Sequence, residues 1–282
     1  MKQRKLFARG LVGGLALLLM VACGGSAPEA TGKPEGTQGT AGTSRTESTE
    51  EAFPPADAGS VEGQVAYAGP DPDVALPLTA DPTCAKLRDT PLTSEKIVGD
   101  GAGHLGNVFV YVKAGLSPRT YPAPTDKVEI DQRGCAYQPH VEGVRVGQTI
   151  VLKNSDSTIH NVFAQAGTNP QFNQGLPYAG MSFEKSFASP EVMVTLHCNV
   201  HPWMTAYVGV LDHPYFAVTG PDGKFAIPNL PPGTYTLEAW HETLGVKEAV
   251  VTVEKGAVGR VRMDFTAVQT GFIGNTSDRG QG

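Results

Sequence analysis

The chain has 282 residues, a formal net charge of -6, 34 Gly and 22 Pro. Beyond the first ten residues its Lys and Arg form no cluster, which argues against nucleic acid as a partner, because phosphate recognition needs a concentrated basic face. No Walker or dinucleotide fingerprint is present, and the Gly and Pro content suits short strands joined by many turns.

In chain order, Lys2, Arg4, Lys5 and Arg9 precede an apolar run over 11–21, and Met20-Val-Ala-Cys23 closes that run with small residues before a Cys. The pattern resembles a bacterial lipoprotein signal, although Met20 stands where such signals usually carry Leu. The run is short for a membrane span. The expectation is therefore cleavage of residues 1–22, acylation of Cys23 and tethering to a bacterial membrane, facing the periplasm or the cell surface. A soluble secreted protein is the alternative. Residues 23–59 are rich in Gly, Ser, Thr, Pro, Ala and Glu, so they bury too little apolar surface to offset the entropy of ordering and read as a flexible tether. The tail over 269–282 reads the same way.

An N-terminal β segment is expected over 60–125. Val61, Gly63, Val65 and Tyr67 alternate through one strand, Asn107 to Val112 forms another, and the stretch between is mostly loop. Cys84 lies in that stretch and Cys135 beyond it. In an exported chain with no metal-ligand spacing around either, the two read as one disulfide, against the alternative of two unlinked buried thiols, with a role in stability only.

Residues 126–212 carry the chemistry. Thr149 to Asn154 alternates with Ile150 and Leu152 on one face, and His160 follows. Val192, Val194 and Leu196 alternate toward Cys198, so a half-buried strand brings that thiol inward at its end. Cys198, His201 and Met204 then share one short loop, in which Asn199 and Val200 turn and Pro202 stiffens the chain. One thiol, two imidazoles and one thioether form the donor set of a blue copper site: thiolate for both oxidation states, imidazole for Cu(II), thioether for Cu(I). Taken singly, the Cys and Met read as core residues and each His as a hydrogen-bonded group. Zinc is the rival metal, but structural zinc sites have no use for Met.

Asn154-Ser-Asp-Ser-Thr-Ile-His160-Asn161-Val162 followed by Cys198-Asn-Val-His201-Pro-Trp-Met204 resembles the copper-binding pattern of cupredoxins, with a short amicyanin-like ligand loop. The resemblance implies a Greek-key β sandwich holding one type 1 copper, and it implies that Asn161 tethers the ligand loop rather than binding metal. Pro202, Trp203, Pro177, Tyr178 and Met181 are expected to form an apolar rim through which the edge of His201 meets solvent, suited to brief docking.

Three further histidines stand outside this set. Strand alternation points His197 away from Cys198, toward another surface. His140 and His241 could each ligate metal, but the satisfied polar residue is the preferred reading and both are left out of the site. With no His-x-His pair, and with Asn199 breaking a His-Cys-His pattern, a trinuclear oxidase cluster lacks its ligands.

Residues 213–268 contain Tyr215 to Thr219 and Lys224 to Ile227 around Pro221-Asp222-Gly223, expected as a hairpin, and Leu230-Pro-Pro-Gly233 turning into Thr234 to Trp240. Gly223-Lys-Phe-Ala-Ile-Pro-Asn-Leu-Pro-Pro-Gly-Thr-Tyr-Thr-Leu resembles a carboxypeptidase-regulatory, transthyretin-like domain, a fold that implies no catalysis. Gly63-Gln-Val65 is similar to its first strand, so that domain is expected to be split around the copper module. The reading is an all-β chain, a cupredoxin-like sandwich plus a transthyretin-like (Ig-like) sandwich. It would carry single electrons between extracytoplasmic redox partner proteins and would not act as an enzyme. The alternatives are a copper delivery or storage lipoprotein and a non-redox surface adhesion module.

Overall fold

The computed structural model describes residues 53–70, 74–121 and 124–267. The expected signal, Cys23, most of the tether and the tail lie outside the described residues. None of the described helices is long and apolar enough to cross a membrane.

Apolar and polar residues alternate through much of the described chain, and its regular structure is almost entirely strand. β1 (Gly59–Ala68) and β2 (Phe109–Ala114) flank a segment with a 3₁₀ turn at Leu78–Ala80 and one short helix, α1 (Pro82–Lys86). The middle of the chain forms β3 (Val128–Gln132), β4 (Tyr137–Gln138), β5 (Val141–Arg145), β6 (Ile150–Asn154), β7 (His160–Gln165), β8 (Phe172–Leu176), β9 (Ser182–Lys185), β10 (Glu191–His197) and β11 (Thr205–Leu211). β12 (Phe216–Val218), β13 (Lys224–Leu230), β14 (Gly233–His241), β15 (Gly245–Val253) and β16 (Val258–Thr266) follow.

Pairing sorts these strands into two sandwiches. In the first, a five-stranded sheet of order β5-β11-β10-β7-β8 faces a four-stranded sheet of order β4-β3-β6-β9. Ile130, Ile150, Leu152, Val162, Val194 and Leu196 from both sheets share one core, as period-two strands with one apolar face require. In the second, sheets β13-β1-β16 and β12-β2-β14-β15 enclose Val61, Val65, Val112, Ile227, Leu237 and Phe265. β1 runs parallel to β16 and antiparallel to β13, and β2 is antiparallel to both β12 and β14. Residues on either side of β3–β11 thus build one sandwich, with the other inserted between them.

The sandwiches meet through a third apolar cluster of Phe109, Val141 and Leu211, with Phe216 and Trp240 packed against it. Two glycines admit this contact. A Cβ on Gly143 would lie 2.4 Å from the Phe216 ring, and one on Gly209 would lie 2.4 Å from the Phe109 ring.

One local expectation is corrected. The strands around Pro221-Asp222-Gly223 do not form a hairpin: β12 pairs with β2, whereas β13 pairs with β1 in the other sheet. The turn instead docks on β1, where the Val65 amide donates to the Gly223 carbonyl at 2.8 Å. Gly223 has φ +71°, and a Cβ there would meet the Val65 carbonyl at 2.2 Å, so the turn requires glycine. The segment between β1 and β2 is mostly loop, as expected, with the short elements at 78–80 and 82–86 set in it. Pro82 opens α1, and the Asp81 carboxylate accepts from the Thr83 amide at 2.7 Å, a Pro-started and side-chain-capped helix.

Candidate metal centre

Four chain segments converge at one end of the first sandwich. β6 ends at Asn154, whose side-chain amide donates to the carbonyls of Thr158 and Leu176 at 2.9 and 2.8 Å, fixing the loop that delivers His160 to the start of β7. β10 delivers Cys198. Its amide donates to the Met204 carbonyl at 3.1 Å and the Met204 amide donates to the His201 carbonyl at 2.9 Å, so the loop over 198–204 closes on itself. Asn161 Oδ1 accepts from the Asn199 amide at 2.7 Å and its Nδ2 donates to Asn173 at 2.7 Å, tying the ligand loop to β7 and β8.

The nitrogen and sulfur atoms face one another. His160 Nδ1 lies 3.0 Å from His201 Nδ1, and Cys198 Sγ lies 3.8 Å from each. His160, Cys198, His201 and Met204 are 0, 2, 1 and 1% exposed, so the cage is closed to bulk water. The two outer imidazole nitrogens are held by carboxylates: His160 Nε2 by Asp156 Oδ2 at 3.0 Å and His201 Nε2 by Asp81 Oδ2 at 2.9 Å. A carboxylate on Nε2 selects the tautomer protonated there and leaves the lone pair on Nδ1. Two lone pairs and a thiol sulfur then converge on one point, an arrangement that a cation relieves. Met204 is buried in the core beside Cys198 and belongs to the same closed loop.

Electrostatics favour the charged forms. Burial pushes the Cys198 thiol up, but hydrogen bonding to His160 and to backbone groups of Asn161, His201 and Val200 outweighs it and brings the thiol down to about 6. Burial likewise opposes ionisation of Asp156. His160 and the amides of Cys135 and Gly134, at 2.8 and 2.6 Å, hold its carboxyl below the usual range. Asp81 falls to about 2 through its bond to His201.

Cys84 and Cys135 form a disulfide with Cα atoms 5.6 Å apart. It does more than staple two segments, since Cys84 Sγ lies 3.4 Å from His201 Nε2. Together with Asp81 it covers the edge of His201. The expected opening of that edge through an apolar rim is therefore corrected: residues 81–84 occupy the position where solvent was expected. Trp203 is likewise held in, with its ring 5.1 Å from the His201 ring and its Nε1 donating to the Cys135 carbonyl at 3.0 Å. Of the expected rim residues Tyr178, at 72%, and Pro202 are exposed, while Pro177, Met181 and Trp203 are half-buried. Two further donor groupings, Cys84–Cys135–His201 and Cys135–Asp156–His160, involve disulfide sulfur, which lacks the thiolate charge a metal needs.

Sequence reasoning missed both aspartates. Asp156 had a local signal, four residues before a ligand-type His in the loop after β6. Asp81 had none, being 120 residues from its partner. His197 faces away from the cage, its Nδ1 3.4 Å from Thr205 Oγ1.

Comparison with known proteins gives a consistent but distant picture. Residues 189–261 match the family described as polysaccharide lyase family 4, domain II, and no curated protein matches the chain. Among solved structures, a novel purple cupredoxin from Nitrosopumilus maritimus is 25% identical, with 29% of this chain covering 98% of that one at a TM-score of 0.26. A reduced amicyanin variant is 22% identical over 34% of this chain and 97% of its own, at 0.28. The copper-containing nitrite reductase NirK from Thermus scotoductus SA-01 is 18% identical over 52% of this chain but only 28% of its own length, at 0.27. Likeness at this level decides nothing about chemistry.

Proposed function

We propose that the chain is a type 1 copper protein that carries single electrons between extracytoplasmic redox partners, anchored to a bacterial membrane through Cys23. The observation that carries this reading is the convergence of His160 Nδ1, His201 Nδ1 and Cys198 Sγ on one buried point, with both Nε2 atoms committed to carboxylates.

Copper held there supplies a one-electron Cu(II)/Cu(I) couple. Were copper bound, Cys198 would contribute a thiolate already favoured by its surroundings, His160 and His201 would contribute oriented lone pairs, and Met204 would supply a thioether from the same loop. Asp156 and Asp81 hold the imidazoles in one tautomer and one orientation. The cap over 81–84 excludes water, so the donors need not reorganise as the charge changes. A buried donor set with no open face suits a carrier better than an enzyme, which needs a coordination position for substrate.

The cap favours one alternative, a copper-holding protein whose metal leaves when residues 81–84 lift. The full chain in detergent, stripped of metal and titrated with Cu(II), separates the readings by visible absorption, electron paramagnetic resonance and challenge with a competing apo-acceptor. A carrier gives an intense thiolate charge-transfer band, narrow copper hyperfine splitting and reversible reduction, all lost in Cys198→Ser, and keeps its copper under challenge. A colourless cupric complex would overturn the proposal, and prompt surrender of copper would favour holding and delivery.

A further inference from the structure

A second cluster of ligand-type side chains lies outside the cage, in a pocket of about 300 Å³ lined by residues of both sandwiches. Among its polar members, which also include Lys96 and His197, three come together from distant segments: Glu95 from the stretch between α1 and β2, His140 between β4 and β5, and Glu242 in the β14–β15 turn. The His140 ring is buried at 8% exposure. Its Nε2 donates to Glu242 Oε1 at 2.5 Å, and the other oxygen of Glu242 accepts from the Tyr207 hydroxyl at 2.9 Å.

In the neutral ring that pairing puts the proton on Nε2 and the lone pair on Nδ1. His140 Nδ1 is buried, has no hydrogen-bond partner, and lies 3.6 Å from Glu95 Oε2. In that tautomer two acceptors face each other at a separation too long for a hydrogen bond. Two donors bound to one cation at about 2.0–2.2 Å with a tetrahedral angle sit roughly 3.4 Å apart, close to what is found. Lys96 lines the pocket but forms no ion pair among the described residues.

We propose that His140 Nδ1 and the Glu95 carboxylate bind a divalent cation of the zinc or copper(II) class, with Glu242 as the carboxylate that orients His140. A carboxylate on the far nitrogen of an imidazole is the usual support for a metal-bound His. The pocket has room for the waters that complete the coordination sphere. Such an ion joins three segments of the chain at the junction of the two sandwiches, against a wall that includes Met204 and Trp203. The site is independent of the copper reading, since it shares no donor with the cage.

The test is calorimetric titration of the full chain with Zn(II), with bound metal counted by elemental analysis, in the wild type preloaded with a single equivalent of Cu(II) per chain and in Cys198→Ser that has seen no copper. One zinc per chain is expected beyond any held by the cage, lost in His140→Ala and in Glu95→Gln. Glu242→Gln is expected to weaken it by about 10–100-fold, and the visible band of copper-loaded His140→Ala should match wild type. Should His140→Ala fold poorly, Glu95→Gln at a partly exposed carboxylate keeps the test open. Equal zinc binding in wild type and Glu95→Gln overturns the proposal. So does a His140 imidazole whose 15N shifts show both nitrogens protonated at neutral pH with no zinc taken up. A wild type that binds zinc here but shows no thiolate–copper band would refute the copper reading and leave this one standing.

Discussion

Asp156 is where the smallest change reaches furthest, because one buried carboxylate satisfies two backbone amides and one imidazole at once. Replacing it by Ala leaves three donors unpaired in the protein interior. Asp156→Ala is expected to destabilise the metal-free chain by about 3–5 kcal/mol, in the range for breaking a buried pair, measured as a shift of the urea midpoint. Asn161 acts more locally. Asn161→Ala removes the acceptor of the Asn199 amide and should cost about 1–3 kcal/mol, with faster loss of bound copper because the loop over 198–204 is no longer tied to β7. Met204 is nearly fully buried, so Met204→Leu conserves volume and should cost less than about 1.5 kcal/mol. A raised reduction potential without loss of fold would assign the thioether an electronic role, whereas an unchanged potential would make it packing alone.

The elements carry two predictions of their own. Gly209 on β11 lets the Phe109 ring lie against the backbone, so Gly209→Ala should cost about 1–3 kcal/mol through overpacking, seen as a lowered Tm. Glu238 on β14 accepts from Tyr111 and Lys113 at 2.5 Å each. Burial raises its carboxyl, but these partners outweigh burial and hold it below the usual value. A depressed folded-state value means the stabilisation is complete above the unfolded value of about 4.3 and is lost as pH falls through the folded value. The stability gap between wild type and Glu238→Gln should therefore shrink as urea denaturation is repeated from pH 7 toward pH 3. Strands such as β6 and β10 were legible because alternation and burial coincide in them. The ligand loop was legible because Cys198, His201 and Met204 are close in sequence. The cap was not, since Asp81 and Cys84 reach His201 across 120 and 117 residues. Neither was the β12–β13 crossing, since a turn sequence signals a reversal and not the sheet to which the next strand belongs. The partners of His140 are equally illegible, because nothing near it in sequence announces Glu95 or Glu242.

At the scale of the whole molecule, the insertion of one sandwich into another makes the ends of the chain interdependent. β1 is the central strand between β13 and β16, so a chain beginning after Ala68 should fail to form the second sandwich, detected as loss of amide protection over 216–266 in hydrogen exchange. An isolated fragment of residues 126–212 would lack Asp81 and Cys84 and expose the His201 edge. Faster copper loss from that fragment than from the full chain would assign the cap a role in retention. The central claim, a buried sulfur–nitrogen cage that holds copper through a change of charge, is tested most directly by copper K-edge X-ray absorption on the loaded full chain, oxidised and reduced. The prediction is one short copper–sulfur contact and two copper–nitrogen contacts in both states with nearly unchanged distances. A shell of nitrogen and oxygen alone, or a sulfur contact that vanishes on reduction, would contradict it.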